Sequence, residues 1–252
     1  MVKKTAREPL RIGTAGWSLR SEHVDVFPGD GSHLQRYAAT FNCVEINSSF
    51  YRPHRPATYA KWAASVPADF RFAVKVPKEI THARRLVDVG EPLQRFLSES
   101  TQLGDRLGPL LVQLPASFAL DAKTVGAFFT LLRQNFDGLV ACEPRHASWF
   151  TDQADRLLVK FHVARVAADP ALSPRAAEPG GWDGFGYWRL HGSPRMYYSS
   201  YPLDWLAELT DQLLARERPT WCIFDNTTLG AAIYNALAVL RGLRAHETGE
   251  QP

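Results

Sequence analysis

Six ionisable or strongly polar side chains sit where short apolar runs end: Glu45, Lys75, Gln113, Glu143, Arg189 and His191. Successive side chains of a β-strand point to opposite faces. Val44 and Ile46 therefore oppose Glu45 and Asn47, and Val74 and Val76 oppose Lys75. Val112 and Leu114 oppose Gln113, Val140 and Cys142 oppose Glu143 and Arg145, and Trp188 and Leu190 oppose Arg189 and His191. One face of each run is apolar, and the other carries the chemistry. Three potential negatives (Glu45, Glu143, Asp225) meet three positives (Lys75, Arg145, Arg189), with His82, His146 and His191 beside them. A dinuclear metal centre gathers carboxylates and imidazoles without a matching set of cations, which would repel the metal. The pattern points instead to a metal-free site, with no cofactor, that holds an anion. Glu143, His191, Lys75 and Glu45 are the catalytic candidates. Glu143 lies in the densest cluster, Glu143–Pro144–Arg145–His146, and suits general acid or base work with His191 or His146 as partner. Arg145 and Arg189 suit bidentate capture of a carboxylate or phosphate. Lys75 could be an electrostatic clamp or a Schiff-base nucleophile. The clamp is favoured, because neighbouring carboxylates would hold the amine protonated.

Other candidates lie in the turns. Trp17, Tyr51, Phe50 and Trp149 could stack on a sugar or base, or simply pack under long loops. The loops His191–Arg195 and Asn226–Gly230 offer a second anion grip. Thr227 or Thr228 would cap the helix after Asp225, next to Asn226, and leave its first N–H groups free for phosphate, with Arg189 as the main anchor.

These residues need a scaffold that brings strand ends together. Strand-like runs occur at Leu10–Thr14, Cys43–Asn47, Phe70–Val76, Leu110–Leu114, Leu139–Glu143, Val163–Asp169, Tyr187–His191 and Trp221–Asp225. Helical apolar spacing fills most of the gaps, as in Val125, Phe128, Phe129 and Leu132, or Leu206, Leu209 and Leu213. Strands alternating with helices make a parallel sheet, and eight units over 252 residues predict an α/β fold: a single (β/α)8 TIM-type barrel. Pro170, Pro174, Pro179, Gly180 and Gly181 crowd one interval, so the sixth helix is expected to be short or missing. One domain is expected over residues 1–252, with a core at about 10–243 and flexible ends. Cys43, Cys142 and Cys222 are far apart, without metal-binding spacing, and read as buried reduced thiols. A net charge of +3 without a basic run makes nucleic acid a weak candidate partner. With no apolar membrane segment and no signal core behind Lys3 and Lys4, the expected location is cytoplasmic.

Several motifs together resemble the domain of unknown function 72 family, the YecE-like proteins. They are Gly13–Trp17, Val44–Tyr51, Phe72–Lys75 with Thr81–His82, Gln113–Pro115, Glu143–Trp149, Arg189–Gly192, and Phe224–Thr227 with Gly230, Ala231, Asn235 and Ala236. They run in order along nearly the whole chain. The resemblance implies an eight-stranded barrel with its site at the strand ends, and implies no reaction. Asp225 stands where the family pattern usually has Asn. The leading functional expectation is an enzyme acting on a small phosphorylated or carboxylated ligand by metal-free acid–base chemistry. A second is a metal-dependent phosphodiesterase acting on nucleic acid, with a divalent metal held by Glu45, Glu143, His146, His191 and Asp225. A third is a non-catalytic metabolite-binding protein. The sequence does not encode an oligomeric state.

Overall fold

The computed structural model describes residues 10–248 apart from Val24. The ends expected to be flexible lie outside the described residues, except that 244–248 continue the last helix. Ten strands are described: β1 (Leu10–Thr14), β2 (Cys43–Ile46), β3 (Arg71–Lys75), β4 (Leu107–Gln113), β5 (Val140–Glu143), β6 (Val163–Arg165), β7 (Ala167–Asp169), β8 (Gly180–Gly181), β9 (Gly186–Leu190) and β10 (Thr220–Phe224). They form two sheets, of order β1-β10-β9-β7 and β2-β3-β4-β5-β6-β8. Every pair is parallel except the two-residue β8 against β6. The fold is thus α/β with parallel sheets.

The expected count of eight strands differs from this, for two reasons. The run Val163–Asp169 is split at Val166. Its first half pairs with β5 and its second half with β9, while the Val166 amide donates to the Cys142 carbonyl at 2.8 Å. One run of sequence therefore serves both sheets. The Gly-Gly pair of β8 adds the tenth strand. At the other junction Ala15 bridges Glu45, and the Gly16 amide donates to the Glu45 carbonyl at 2.9 Å. Gly13 allows this approach, since a Cβ there would lie 2.2 Å from the Cys43 carbonyl oxygen.

Seven α-helices accompany the strands: α1 (His33–Ala38), α2 (Pro56–Ala64), α3 (Gly90–Ser100), α4 (Ala122–Asn135), α5 (Asp152–Lys160), α6 (Leu203–Leu214) and α7 (Ala231–Thr248). Ser32 caps α1 through a reciprocal capping box with Gln35, and Asp121 caps α4. No α-helix stands between β7 and β9. A 3-10 turn at Pro174–Ala177 takes that place, as the proline density predicts. One expectation fails here. Helix α7 opens at Ala231, so neither Thr227 nor Thr228 is its cap. Gly230, at φ +84°, ends the loop instead, and its amide bonds back to the Thr227 carbonyl.

The strand faces separate two apolar cores. The larger lies on the faces of Val44, Ile46, Phe72, Val74, Val112, Val140, Cys142 and Leu190, with the inward sides of the helices against it. The smaller gathers Cys43, Ala73, Leu111, Ala141, Ala164, Tyr187, Trp221 and Ile223 from the opposite strand faces. The three cysteines are buried and unpaired. No described helix is long and apolar enough to cross a membrane.

Candidate functional site

The smaller core is the floor of the site. Two residues further along each strand, on the same face, the apolar residue gives way to a polar one. Cys43 is followed by Glu45, Ala73 by Lys75, Leu111 by Gln113, Ala141 by Glu143, Tyr187 by Arg189 and His191, and Ile223 by Asp225. Parallel register puts these ends side by side: Gln113 opposes Glu143, and Ile223 opposes Arg189. Lys75, Glu143 and Arg189 all come to this one end, and so do Glu45, His191 and Asp225.

Arg189 is the hub. Its guanidinium is fully buried and reaches three carboxylates. Nε and Nη2 donate to Glu45 at 2.9 and 2.6 Å, Nη1 donates to Glu143 at 2.7 Å, and Nη2 also donates to Asp225 at 3.0 Å. The Tyr187 hydroxyl donates to the same Glu45 carboxylate at 2.9 Å. His191 spans the other two acids, with Nδ1 3.1 Å from Asp225 and Nε2 3.0 Å from Glu143. Arg145 covers the top of Glu143 at 2.8 Å and places Nη1 3.3 Å from the Tyr197 hydroxyl. Bonding this complete offsets a desolvation cost of several kcal/mol per buried charge.

The electrostatics follow from the contacts. Burial alone would raise the Glu143 carboxyl, but Arg145, Arg189 and His191 outweigh it and hold it well below the usual carboxylate range. Burial opposes ionisation of Asp225 too, and there Arg189 and His191 prevail. Burial, reinforced by the Glu45 charge, pushes the Tyr187 phenol far up, so it remains a donor. Lys75 behaves differently. Its side chain is buried and its ammonium lies 4.2 Å from the centre of the Phe50 ring. Among the described residues no carboxylate comes within 4.0 Å of it, whereas Glu45, Glu143 and Asp225 are each ion-paired to Arg189. Burial first, and the Arg189 charge second, lower its pKa to about 8. Glu45, Glu143 and Asp225 act in the opposite sense and favour the ammonium, as expected, but their direct ion pairs are with Arg189 and not with Lys75. The Arg189 guanidinium, expected to grip an anion, is itself engaged by those acids.

The remaining candidates divide. His82 sits edge-on to Phe50 at 5.0 Å with Nδ1 2.9 Å from the Thr81 hydroxyl, within a π-helical turn at Glu79–Ala83. Burial, then Lys75, lowers its pKa. Gln113 is buried beside Glu143 in register. Asn47 Oδ1 is buried without a partner. His146 serves its own turn, since its Nδ1 accepts from the Ser148 amide and caps Ala147–Trp149. Tyr51 stands at the rim, 75 % exposed. Trp17, half-buried, packs on Trp62 and Phe72 against the larger core, and Trp149 is buried with its indole N–H on the Phe118 carbonyl. Asn226 ties the Ser199 carbonyl to Asn235, and Thr227 is exposed in the adjoining loop. The Arg195 guanidinium lies over the Tyr198 ring. Two members of the site are absent from the sequence-based candidates. Tyr187 is legible by strand parity with Arg189. Tyr197 lies in an irregular loop where no pattern marks it.

Fold and site together define a parallel α/β protein with a buried arginine–carboxylate hub at the ends of its strands. A family profile described as "Protein of unknown function DUF72" matches residues 11–252, and the chain belongs to that family. The UPF0759 protein YunF of Bacillus subtilis is 24% identical over 279 residues, covering 96% of this chain and 98% of that protein. The UPF0759 protein YecE of Escherichia coli K12 is 36% identical over 85 residues, and that match spans 34% of this chain and about a third (31%) of the length of YecE. Among solved structures, a DUF72 family protein from Enterococcus faecalis V583 superposes with a TM-score of 0.78 at 23% identity, covering 94% of this chain and 96% of that one.

Proposed function

We propose that this protein is an enzyme acting on a small phosphate- or carboxylate-bearing ligand at the ends of its parallel strands, through acid–base chemistry of side chains. The observation that carries the reading is the division of labour around Arg189. Glu45, Glu143 and Asp225 direct their charge at one buried guanidinium. The groups left to meet a ligand are donors: the Lys75 ammonium, Arg145, the Tyr197 hydroxyl and the Gln113 amide. A site that offers donors over paired acids favours an anion. A proton carrier works best with a pKa near the operating pH. Lys75, at about 8, meets that condition better than Glu143, which is held far too low. Glu45, Glu143 and His191 then act as positioning residues that fix Arg189 and Arg145. Tyr51, His82 and Asn47 border the ligand, while Asn226 and Thr227 shape the loop beside it.

We also infer that the two sheets join at Ala15–Glu45 and at Val166 into one (β/α)8-type barrel forming a single domain. The separate small core supports this, since a closed barrel needs an interior core distinct from the layer under its helices. Three unpaired buried cysteines fit a reducing compartment, and the cytoplasm is the location we propose.

The test is calorimetric titration with inorganic phosphate and with small carboxylates. Binding should be measurable at millimolar ligand and weaken about tenfold or more in Arg145→Ala, a loss of roughly 1.4 kcal/mol. It should also decline as salt rises. Heat-silent titrations at every anion would sink the reading.

A further inference from the structure

We propose that Lys75 forms an imine with an aldehyde or ketone carbonyl of the ligand, so that the substrate class is a small anionic carbonyl compound. This rests on the rim being the anion site. A buried lysine in a structural role is normally paired with a carboxylate, because an unpartnered ammonium is costly to bury. Lys75 is 5 % exposed, ends β3 on the polar face, and has three carboxylates in its neighbourhood. None is paired with it. Arg189 draws Glu45, Glu143 and Asp225 to itself at 2.6–3.0 Å and adds a positive charge of its own beside Lys75. The Phe50 ring, its centre 4.2 Å from Nζ, takes the place of an ionic partner with a weaker cation–π contact. Burial and the Arg189 charge outweigh the three carboxylates and bring the pKa down to about 8, so the free, nucleophilic amine is within reach near neutral pH. A residue needed only as a point charge would gain from the partners that Lys75 lacks.

The step balances without a redox partner. The amine lone pair forms a bond to the carbonyl carbon, and the carbonyl π pair moves to oxygen. The amine gives up a proton and the oxygen gains one, which gives a carbinolamine. Its hydroxyl takes a further proton and leaves as water, and the nitrogen lone pair forms the C=N bond of a protonated imine. His82, which also contacts the Phe50 ring and feels the Lys75 charge, is the side chain we assign to carry that proton. Arg145, which pairs with Glu143 at 2.8 Å, and the Tyr197 hydroxyl beside it are placed to hold the anionic end.

The experiment treats the full chain with glycolaldehyde phosphate or with pyruvate, reduces with borohydride and maps the peptides. The expected result is a reduced adduct on Lys75 well ahead of Lys61, Lys78, Lys123 and Lys160. Added inorganic phosphate should slow its formation, and Lys75→Arg should show no enriched site. Because the wild-type peptide map decides the matter, the proposal does not depend on a variant folding. Labelling spread evenly over the lysines, or an unlabelled Lys75, overturns it. If phosphate binds while Lys75 stays untrapped, the imine fails and the anion site stands. If Lys75 is trapped while phosphate neither binds nor protects, the imine stands and the anion site fails.

Discussion

Two fully buried arginines in this protein face opposite ways and do different work. Arg165, on the outward face of β6, donates Nε to Asp155 at 3.0 Å and Nη1 to the Arg175 carbonyl at 2.9 Å. Asp155 in turn accepts from Arg175 and from the Gly181 amide at 3.0 Å. This clasp fastens the 3-10 turn and β8, which stand between β7 and β9. The charge is matched two to two, Arg165 and Arg175 against Asp155 and Asp152, and the rest of the Arg165 guanidinium rests on backbone, which is how a structural ion pair is satisfied. Arg189 meets three carboxylates at once and leaves a buried lysine unpaired. A region built only for stability would not gather that much charge or leave one member without a partner. Local satisfaction therefore separates scaffold from site more sharply than burial does, since burial is the same for both.

The largest effect expected from this contrast is at the hub. Arg189→Met should strand three buried carboxylates and cost roughly 3–5 kcal/mol or abolish folding, as removal of one partner from a buried ion pair does. Denaturant unfolding checks this, and a loss below about 1 kcal/mol would remove Arg189 from the centre of the account. Arg165→Met should cost less, roughly 1–3 kcal/mol, because the one carboxylate it leaves behind, Asp155, is partly exposed and keeps Arg175. It should leave phosphate binding unchanged, which calorimetry on the same sample tests.

A smaller effect of opposite sign is expected at Lys75. Its pKa is lowered on folding, so the folded protein binds fewer protons than the unfolded chain between pH 8 and 10.5. Stability contributed at this position therefore rises with pH across that window, and the cost of the ammonium is fully present below it. Lys75→Met should stabilise the protein at pH 7 by roughly 1–3 kcal/mol, with the gain shrinking by about pH 10. It should also remove any borohydride-trapped adduct. Destabilisation at pH 7 would show that Lys75 is held by a favourable charge interaction after all.

Much of the site is legible from strand parity. The alternation of Cys43, Val44, Glu45 or Ala141, Cys142, Glu143 places the acid on the face away from the helices, because apolar residues must take the helix side. The lack of an α-helix between β7 and β9 is legible from the prolines there. Helices α3 and α5 are not among the segments singled out above by apolar spacing: α3 buries Leu93, Phe96, Leu97 and Ser100, and α5 has a Thr151 cap but only a narrow buried stripe of Ala154 and Leu158. What parity cannot supply is who pairs with whom. Six charged side chains converge, and only their three-dimensional reach decides that Arg189 engages all three acids and Lys75 none. The same limit explains Trp17, whose type suggests stacking at the mouth, and Thr227, whose cap chemistry is sound but falls ahead of the helix start at Ala231.

The central claim is that Arg189 engages the acids and leaves Lys75 as an unpaired buried amine. The most direct measurement is an NMR pH titration of the Lys75 side chain in the folded protein, with the resonance assigned through Lys75→Arg. The expected midpoint is near pH 8. A Lys75 midpoint at or above the ordinary lysine value of about 10.4 would contradict it.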